Sequence, residues 1–275
     1  MALTRQASRL GVNGYLFFLL HIASLGAFLF PFRMELAWWL VGTYILRMFG
    51  VTAGYHRYFS HHSYKLGRTM QFLMAFLAQT SGQKGILWWA AHHRWHHRHA
   101  DDPQDIHSPS QSGFWWSHVG WIISNRYDNY DAGSVAAFAR YPELRWLDRF
   151  HWAPPTAFGA GVFLLGGWAA FFWGFILSTV LLYHATFSIN SLAHLWGTRR
   201  FQTTDQSRNN WLLAILTLGE GWHNNHHYYA GSCRQGCRWW ELDITFYVLK
   251  LLSFVRIASE LRPFRVAGLA GGHAA

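Results

Sequence analysis

Charge and cysteine are what this chain has little of. Only 13% of its 275 residues are charged, about half the share of an ordinary soluble domain, while 51% are hydrophobic and 19% aromatic. That balance points away from a soluble fold. Cys233 and Cys237 are the only cysteines, spaced C-x3-C, which excludes a disulfide framework, a zinc ribbon and an iron–sulfur ligand set. They read as two reduced thiols. No glycine-rich dinucleotide fingerprint, internal repeat or low-complexity segment is present. The net charge of +10 has no compact soluble basic domain to carry it. Nucleic-acid binding is therefore excluded, and the basic face of a membrane protein remains.

What is present is a set of apolar stretches. Residues 13–32 and 35–54 each match the ~20 residues that cross a bilayer core, and the turn between them, Pro31 to Glu35, is short. A second pair occupies 154–172 and 174–195, hinged at Trp173-Gly174. The reading is an all-α integral membrane protein with four spans in two hairpins, its first span retained rather than removed as a signal peptide. Lys and Arg crowd residues 55–153 and the tail after His194, whereas Arg33 is the only cation in either opposite connection. The positive-inside rule puts both termini and these basic segments in the cytoplasm, and a bacterial inner membrane is the expected location. Residues 55–153 and 196–262 then form a cytosolic cap within one domain running through 1–275, with 263–275 a disordered tail. Residues 70–91 are apolar but broken by Gln79, Ser81, Gln83 and Lys84, which suits an interfacial or buried helix better than a span. The pairs Trp38-Trp39, Trp88-Trp89, Trp115-Trp116 and Trp239-Trp240 read as interfacial anchors.

Three histidine clusters lie just beyond apolar stretches: His56-Arg-Tyr-Phe-Ser-His61-His62, His93-Arg-Trp-His96-His97 and His223-Asn-Asn-His226-His227. In the second and third the spacing is i, i+3, i+4, so a helical turn would set three imidazoles on one face. His56 and His61 would stand about 140° apart on an α-helix, so a bend is expected between them. Imidazole suits iron, zinc, copper or nickel. A structural zinc site takes four ligands, usually with cysteine, and His56, His61, His93, His96, His97, His223, His226 and His227 are too many for one tetrahedral ion. Two ions are the economical reading. Carboxylate-bridged di-iron bundles need two Glu-x-x-His motifs. Here only Glu220-Gly-Trp-His223 occurs near the clusters, so the dinuclear site expected is dominated by histidine. His62, His92, His99 and His107 read as supporting or solvated. Glu220, Asp101, Asp102 and Asp105 are carboxylates able to orient ligating imidazoles.

Beyond the clusters stand Ser117-His-Val-Gly-Trp121, Asn190-Ser-Leu-Ala-His194, Gly219-Glu-Gly-Trp-His-Asn-Asn-His-His227 and Trp239-Trp-Glu-Leu-Asp243. Together they resemble the H-x4-H, H-x2-H-H and H-x2-H-H boxes and flanking segments of integral-membrane fatty acyl desaturases, the stearoyl-CoA and bacterial delta-9 group. The resemblance covers roughly residues 15–262. It implies two Fe2+ ions that use O2 to remove two hydrogens from adjacent methylenes of a fatty acyl chain, leaving a cis double bond at delta-9. It also implies His194 as a ninth ligand and Asn190 as the holder of a metal-bound water, an i, i+4 pair at the end of the last span.

By the same resemblance Gln83, Trp89 and Thr186 shape a bent apolar tunnel, with Phe187 where the relatives tend to have Trp. Ala91-His92 stands in place of an Arg-Asp pair implicated in binding the CoA head, so acyl-CoA, acyl-carrier-protein and acyl-lipid substrates stay open. No appended haem-binding module is present, so a separate electron carrier such as a ferredoxin or a cytochrome with its reductase is required. The basic face offers that carrier a docking surface. The same boxes would serve a fatty acyl or alkyl hydroxylase. A His-rich membrane metal transporter would also set histidines at a membrane edge, but it would line its spans with polar residues, and these carry little beyond Arg47 and Asn190.

Overall fold

The computed structural model describes residues 9–265, so the tail expected at 263–275 lies almost wholly outside the described residues. Its principal helices are α1 (Val12–Ser24), α2 (Met34–Phe49), α3 (Arg68–Gln79), α4 (Ile86–His99), α5 (Pro142–Arg149), α6 (Ala153–Ala170), α7 (Ser178–Asn190), α8 (Trp211–Leu216), α9 (His223–Tyr228) and α10 (Ile244–Phe254). A two-residue antiparallel pairing of β1 (Lys65–Leu66) with β2 (Ala258–Ser259) ties the two polar parts of the chain together.

Among the described residues three helical stretches are long and apolar enough to cross a membrane: Val12–Leu29, Met34–Ser60 and Ala153–His194. The third is not straight. Gly167 has φ 67° and ψ −165°, a conformation open essentially to glycine alone, and the chain folds back there. The rings of Phe158 and Phe175 lie 6.3 Å apart, whereas a straight helix would separate residues 17 apart by about 25 Å. The hinge expected at Trp173-Gly174 is thus corrected to Gly167. Gly174 is helical instead, and its missing side chain admits Trp39, whose Cβ would lie 3.2 Å from an added one.

The end of α2 builds the first histidine cluster. From Gly50 to Ser60 the helix is wound with i→i+5 hydrogen bonds as a π-segment, and the His61 N–H donates to the His56 carbonyl at 3.2 Å. The wider turn carries His61 round beside His56, ring centroids 4.8 Å apart. The bend expected between them is corrected: winding, not bending, brings them together, and the chain turns away at His62, with φ 50°. Small residues permit the packing. An added Cβ at Gly50 would lie 2.9 Å from the Leu77 carbonyl, and one at Gly54 3.0 Å from Ala78 Cβ, so this small-x-x-x-small face lets α3 lie directly on the π-segment.

The second cluster rides on α4, which among the described residues has no cap from its own N-cap side chain. Asp148 of α5 supplies one. Its Oδ1 accepts from the N–H groups of Leu87 (2.8 Å) and Trp88 (3.1 Å), which satisfies two orphan donors and sets a negative charge at the positive end of the helix. Trp88 is 6% exposed, and Trp89 stacks on His93 at 4.9 Å. This pair is therefore internal rather than an interfacial anchor, because Trp88 packs on Trp121 and Trp89 packs on Tyr55 of the π-segment. Trp38, Trp115 and Trp239 are exposed, as anchors would be.

Candidate metal centre

Nine imidazoles converge in two adjoining groups. His56, His61, His93, His97 and His226 form one, and His96, His194, His223 and His227 the other; within each, the ring nitrogens lie within 4.8 Å of one another. The groups touch where His97 stacks on His227, ring centroids 4.5 Å apart. The reading that each box presents one common face is refined here. On α4, His93 and His97 join the first group and His96 the second; on α9, His223 and His227 join the second and His226 the first. Residues i and i+4 stand about 40° apart on a helix, and the one at i+3 is rotated from them by about 60° and 100°. Each helix therefore straddles both groups.

Whether these groups suit metal ions can be tested on the nitrogens themselves. His226 Nε2 lies 3.0 Å from His56 Nε2 and 2.9 Å from His97 Nε2, His61 Nε2 lies 2.8 Å from His93 Nε2, and His194 Nε2 lies 3.1 Å from His223 Nε2. Ligands at right angles on an ion with bonds of about 2.1 Å would be about 3.0 Å apart. The far nitrogens are held by carboxylates: His56 Nδ1 by Glu220 (2.5 Å), His96 Nδ1 by Asp105 (3.0 Å), His194 Nδ1 by Asp101 (2.7 Å) and His227 Nδ1 by Asp205 (2.9 Å). A carboxylate at Nδ1 keeps the proton there and turns the Nε2 lone pair inward. Among the described residues His227 Nε2 is buried with no hydrogen-bond partner. The donor set fits two cations.

Electrostatics agree. Burial first, then the neighbouring imidazoles, pushes His61, His93, His97, His223 and His226 well below the ordinary histidine value, which leaves them neutral, the form that binds a cation. Burial takes His227 down to about 4 against the pull of Asp205. His96 moves up, because Asp105 outweighs burial. Burial alone would raise the carboxyl groups of Asp101, Asp105 and Asp205, but His194, His96 and His227 hold them below the usual range.

Of the four carboxylates expected to orient imidazoles, Glu220, Asp105 and Asp101 each hydrogen-bond a histidine of the two groups. Asp102 is the correction: it pairs with His99 at 3.0 Å, because the turn after α4 aims it at the helix's last residue rather than at either group. Asp205 was not expected: it stands 22 positions before His227, and no short spacing pairs the two. Gln235 and Arg57 were missed as well. Gln235 Nε2 donates to Glu220 at 2.6 Å, and the buried Arg57 guanidinium bridges Glu220 (3.0 Å) and Asp243 (2.9 Å), locking the first cluster to the third. His62 receives a hydrogen bond from Arg94 at 2.7 Å, and His92 Nδ1 donates to the Trp88 carbonyl at 2.9 Å; neither belongs to a group. His107 packs on the His96 ring, 4.3 Å between centroids. Cys233 and Cys237 are free thiols, and burial pushes both up to about 12, so they are inert at neutral pH.

A cavity of about 420 Å³ adjoins the first group, with His93 and Asn190 in its wall beside Gln83, Trp89, Thr186 and Phe187. The residues named from the sequence for a tunnel are thus brought together. Gln83 Nε2 donates to Thr186 Oγ1 at 3.1 Å, and Trp89 Nε1 donates to Gln83 Oε1 at 3.3 Å. The cavity continues between α1 and α7 past Phe17, Tyr183 and Thr179.

Comparison with known proteins agrees with this architecture. A family model described as fatty acid desaturase matches residues 36–252. The chain is 37% identical over 227 residues to a protein of Nostoc sp. (strain 36) named sn-2 palmitoyl-lipid 9-desaturase, covering 81% of this chain and 78% of that one. It is 34% identical over 257 residues to the sn-1 stearoyl-lipid 9-desaturase of Anabaena variabilis, covering 91% and 93%. It is also 35% identical over 221 residues to the acyl-CoA C20 Delta5-desaturase of Anemone leveillei, covering 79% and 70%.

Proposed function

This chain belongs to the fatty acid desaturase family, and from that premise we propose that it introduces a cis double bond at delta-9 of a saturated acyl chain. It is an oxidoreductase acting on acyl lipids or acyl-CoA. In this reading it carries two iron ions, uses O2 as co-substrate and draws electrons from a separate carrier. One observation carries it: two adjoining histidine groups border an apolar cavity whose wall includes His93 and Asn190. The bound ions would supply activation of O2, which with two substrate hydrogens, two electrons and two protons ends as two waters.

The residues divide the work. The five-histidine group would hold one ion and the four-histidine group the other, with Asn190 placed to act through a water. Glu220, Asp101, Asp105 and Asp205 keep the Nδ1 protons in place so that the Nε2 lone pairs face inward. The hydrogen bonds joining Gln83, Thr186 and Trp89 hold the cavity wall in shape, so that one carbon pair faces the centre.

Four spans in two hairpins accommodate this chain, the second hairpin turning at Gly167. The arrangement is supported by the ends of Met34–Ser60 and Ala153–His194, which both run into the histidine groups. In the same reading that face is cytosolic, with both termini, in a bacterial inner membrane, and residues 55–153 and 196–262 cap a single domain. Its basic surface suits an acidic ferredoxin or cytochrome. Expression in a host lacking the activity, followed by mass spectrometry of fatty-acid methyl esters with double-bond localisation, should reveal delta-9 products. Only saturated or hydroxylated chains from iron-loaded, reductant-supplied protein would overturn the reading.

A further inference from the structure

The cavity opens along α1, where lining residues Leu16 and Leu19 are exposed. We propose that the slot between α1 and the start of α6 is a lateral portal, through which an acyl chain of a bilayer glycerolipid slides into the cavity while its head group stays at the cytosolic interface. The proposal rests on the desaturase reading and narrows its substrate to acyl lipid.

Leu16, Leu19, Leu20 and Ala23 recur at i, i+3, i+4 and i+7, one stripe of α1, and all line the cavity. Yet Leu16 is 57% and Leu19 62% exposed. Opposite them the cavity is edged by Pro155 and by Trp152, itself 59% exposed. Side chains that line a cavity and are also more than half exposed mark an opening. The packing explains it: α1 leans on residues 171–177 and 121–123, and α6 leans on α2, α3 and the same 171–177 stretch. The two helices share a floor, and the slot lies between them.

Around a membrane span the outside of such a slot is lipid, which is what a leucine stripe suits. From Asn13 to Ala23 the lining runs along ten residue rises of helix, about 15 Å, and one leaflet of a ~30 Å hydrocarbon core is about that deep. A lipid chain could therefore move in sideways without changing its direction. Asn13, Lys84 and His151 also line the cavity, and Asn13 stands in the first turn of α1, at the end where a lipid's ester groups leave the hydrocarbon. Lys84, the cation in that lining, is already held by Asp128 at 2.8 Å, and His92 Nδ1 is bonded to the Trp88 carbonyl.

The test uses the full-length, iron-loaded protein with a reductant, reconstituted in dioleoylphosphatidylcholine vesicles containing distearoylphosphatidylcholine, with stearoyl-CoA supplied in parallel. The vesicle stearoyl chains should be desaturated by the wild type. Leu16→Trp and Leu19→Trp, which fill the slot, should cut that rate by about tenfold or more at unchanged iron content, while the exposed α6 control Leu165→Trp, outside the lining, stays within about twofold. Turnover of stearoyl-CoA but not of vesicle lipid would overturn the portal. So would wild-type lipid rates in both slot-filling variants. Turnover of neither substrate by the wild type would overturn the desaturase reading itself, and the portal with it.

Discussion

Asp205→Ala tests the division of the histidines most directly, because it removes a carboxylate and leaves every imidazole in place. Asp205 is 5% exposed; it holds His227 Nδ1 at 2.9 Å and is itself fixed by the Ser207 N–H (2.8 Å) and the Thr203 hydroxyl (3.1 Å). A hydrogen bond to a charged group is worth about 1.5–3 kcal/mol, and each ~1.4 kcal/mol is tenfold in affinity. Metal binding at the four-histidine group should therefore weaken by roughly 10- to 150-fold, in line with the ~10–100-fold typical of partners behind metal ligands. The five-histidine group takes its carboxylate from Glu220 and should be unaffected. Fe2+ titration of the full-length protein should show two tight ions in the wild type, and one tight and one weak in the variant. Asp205→Asn, which keeps an acceptor but loses the charge, should fall between them. Parallel weakening of both ions would refute the division, and two ions at wild-type affinity would refute the orienting role.

His96→Ala and His226→Ala should each abolish turnover with membrane insertion intact, and iron counting should show that they lose different ions; retained turnover would reject their roles as ligands. Asp148→Ala removes the cap of α4 and should cost about 1–2 kcal/mol, seen as a Tm lower by roughly 2–8 °C; an unchanged Tm would show that α4 does not depend on it. In the metal-free protein, His61, His93, His97, His223 and His226 sit below their unfolded value of about 6.5. The unfolded chain then binds more protons, so their stabilisation is full above about 6.5 and is lost as pH falls towards the folded values. His96, raised by Asp105 against burial, acts in the opposite sense, its share present below about 6.5 and lost as pH rises through its folded value. Five groups outweigh one, so Tm of the metal-free protein should fall between neutrality and about pH 5; a rise would contradict the burial of neutral imidazoles.

The apolar stretches and the histidines were legible because hydropathy and ligand chemistry belong to single residues and short spacings. Glu220, Asp101 and Asp105 were legible as acids close to the boxes. Asp205 was not, since 22 residues separate it from His227 and no local pattern pairs them. Gly167 and Gly174 look alike in sequence; one turns the chain through a positive φ, and the other only makes room for Trp39. Trp88 and Trp89 look like anchors until Trp88 is seen stacked on Trp121 and Trp89 stacked between Tyr55 and His93.

The sequence by itself determined which side chains can bind a cation and where the chain is apolar enough to meet lipid. Only the tertiary structure decided which histidines stand together, because the grouping depends on how α4 and α9 face each other across the centre. Helices that present residues about 60° to 100° apart can serve one site or two. The packing of the π-segment, α4 and α9 made it two.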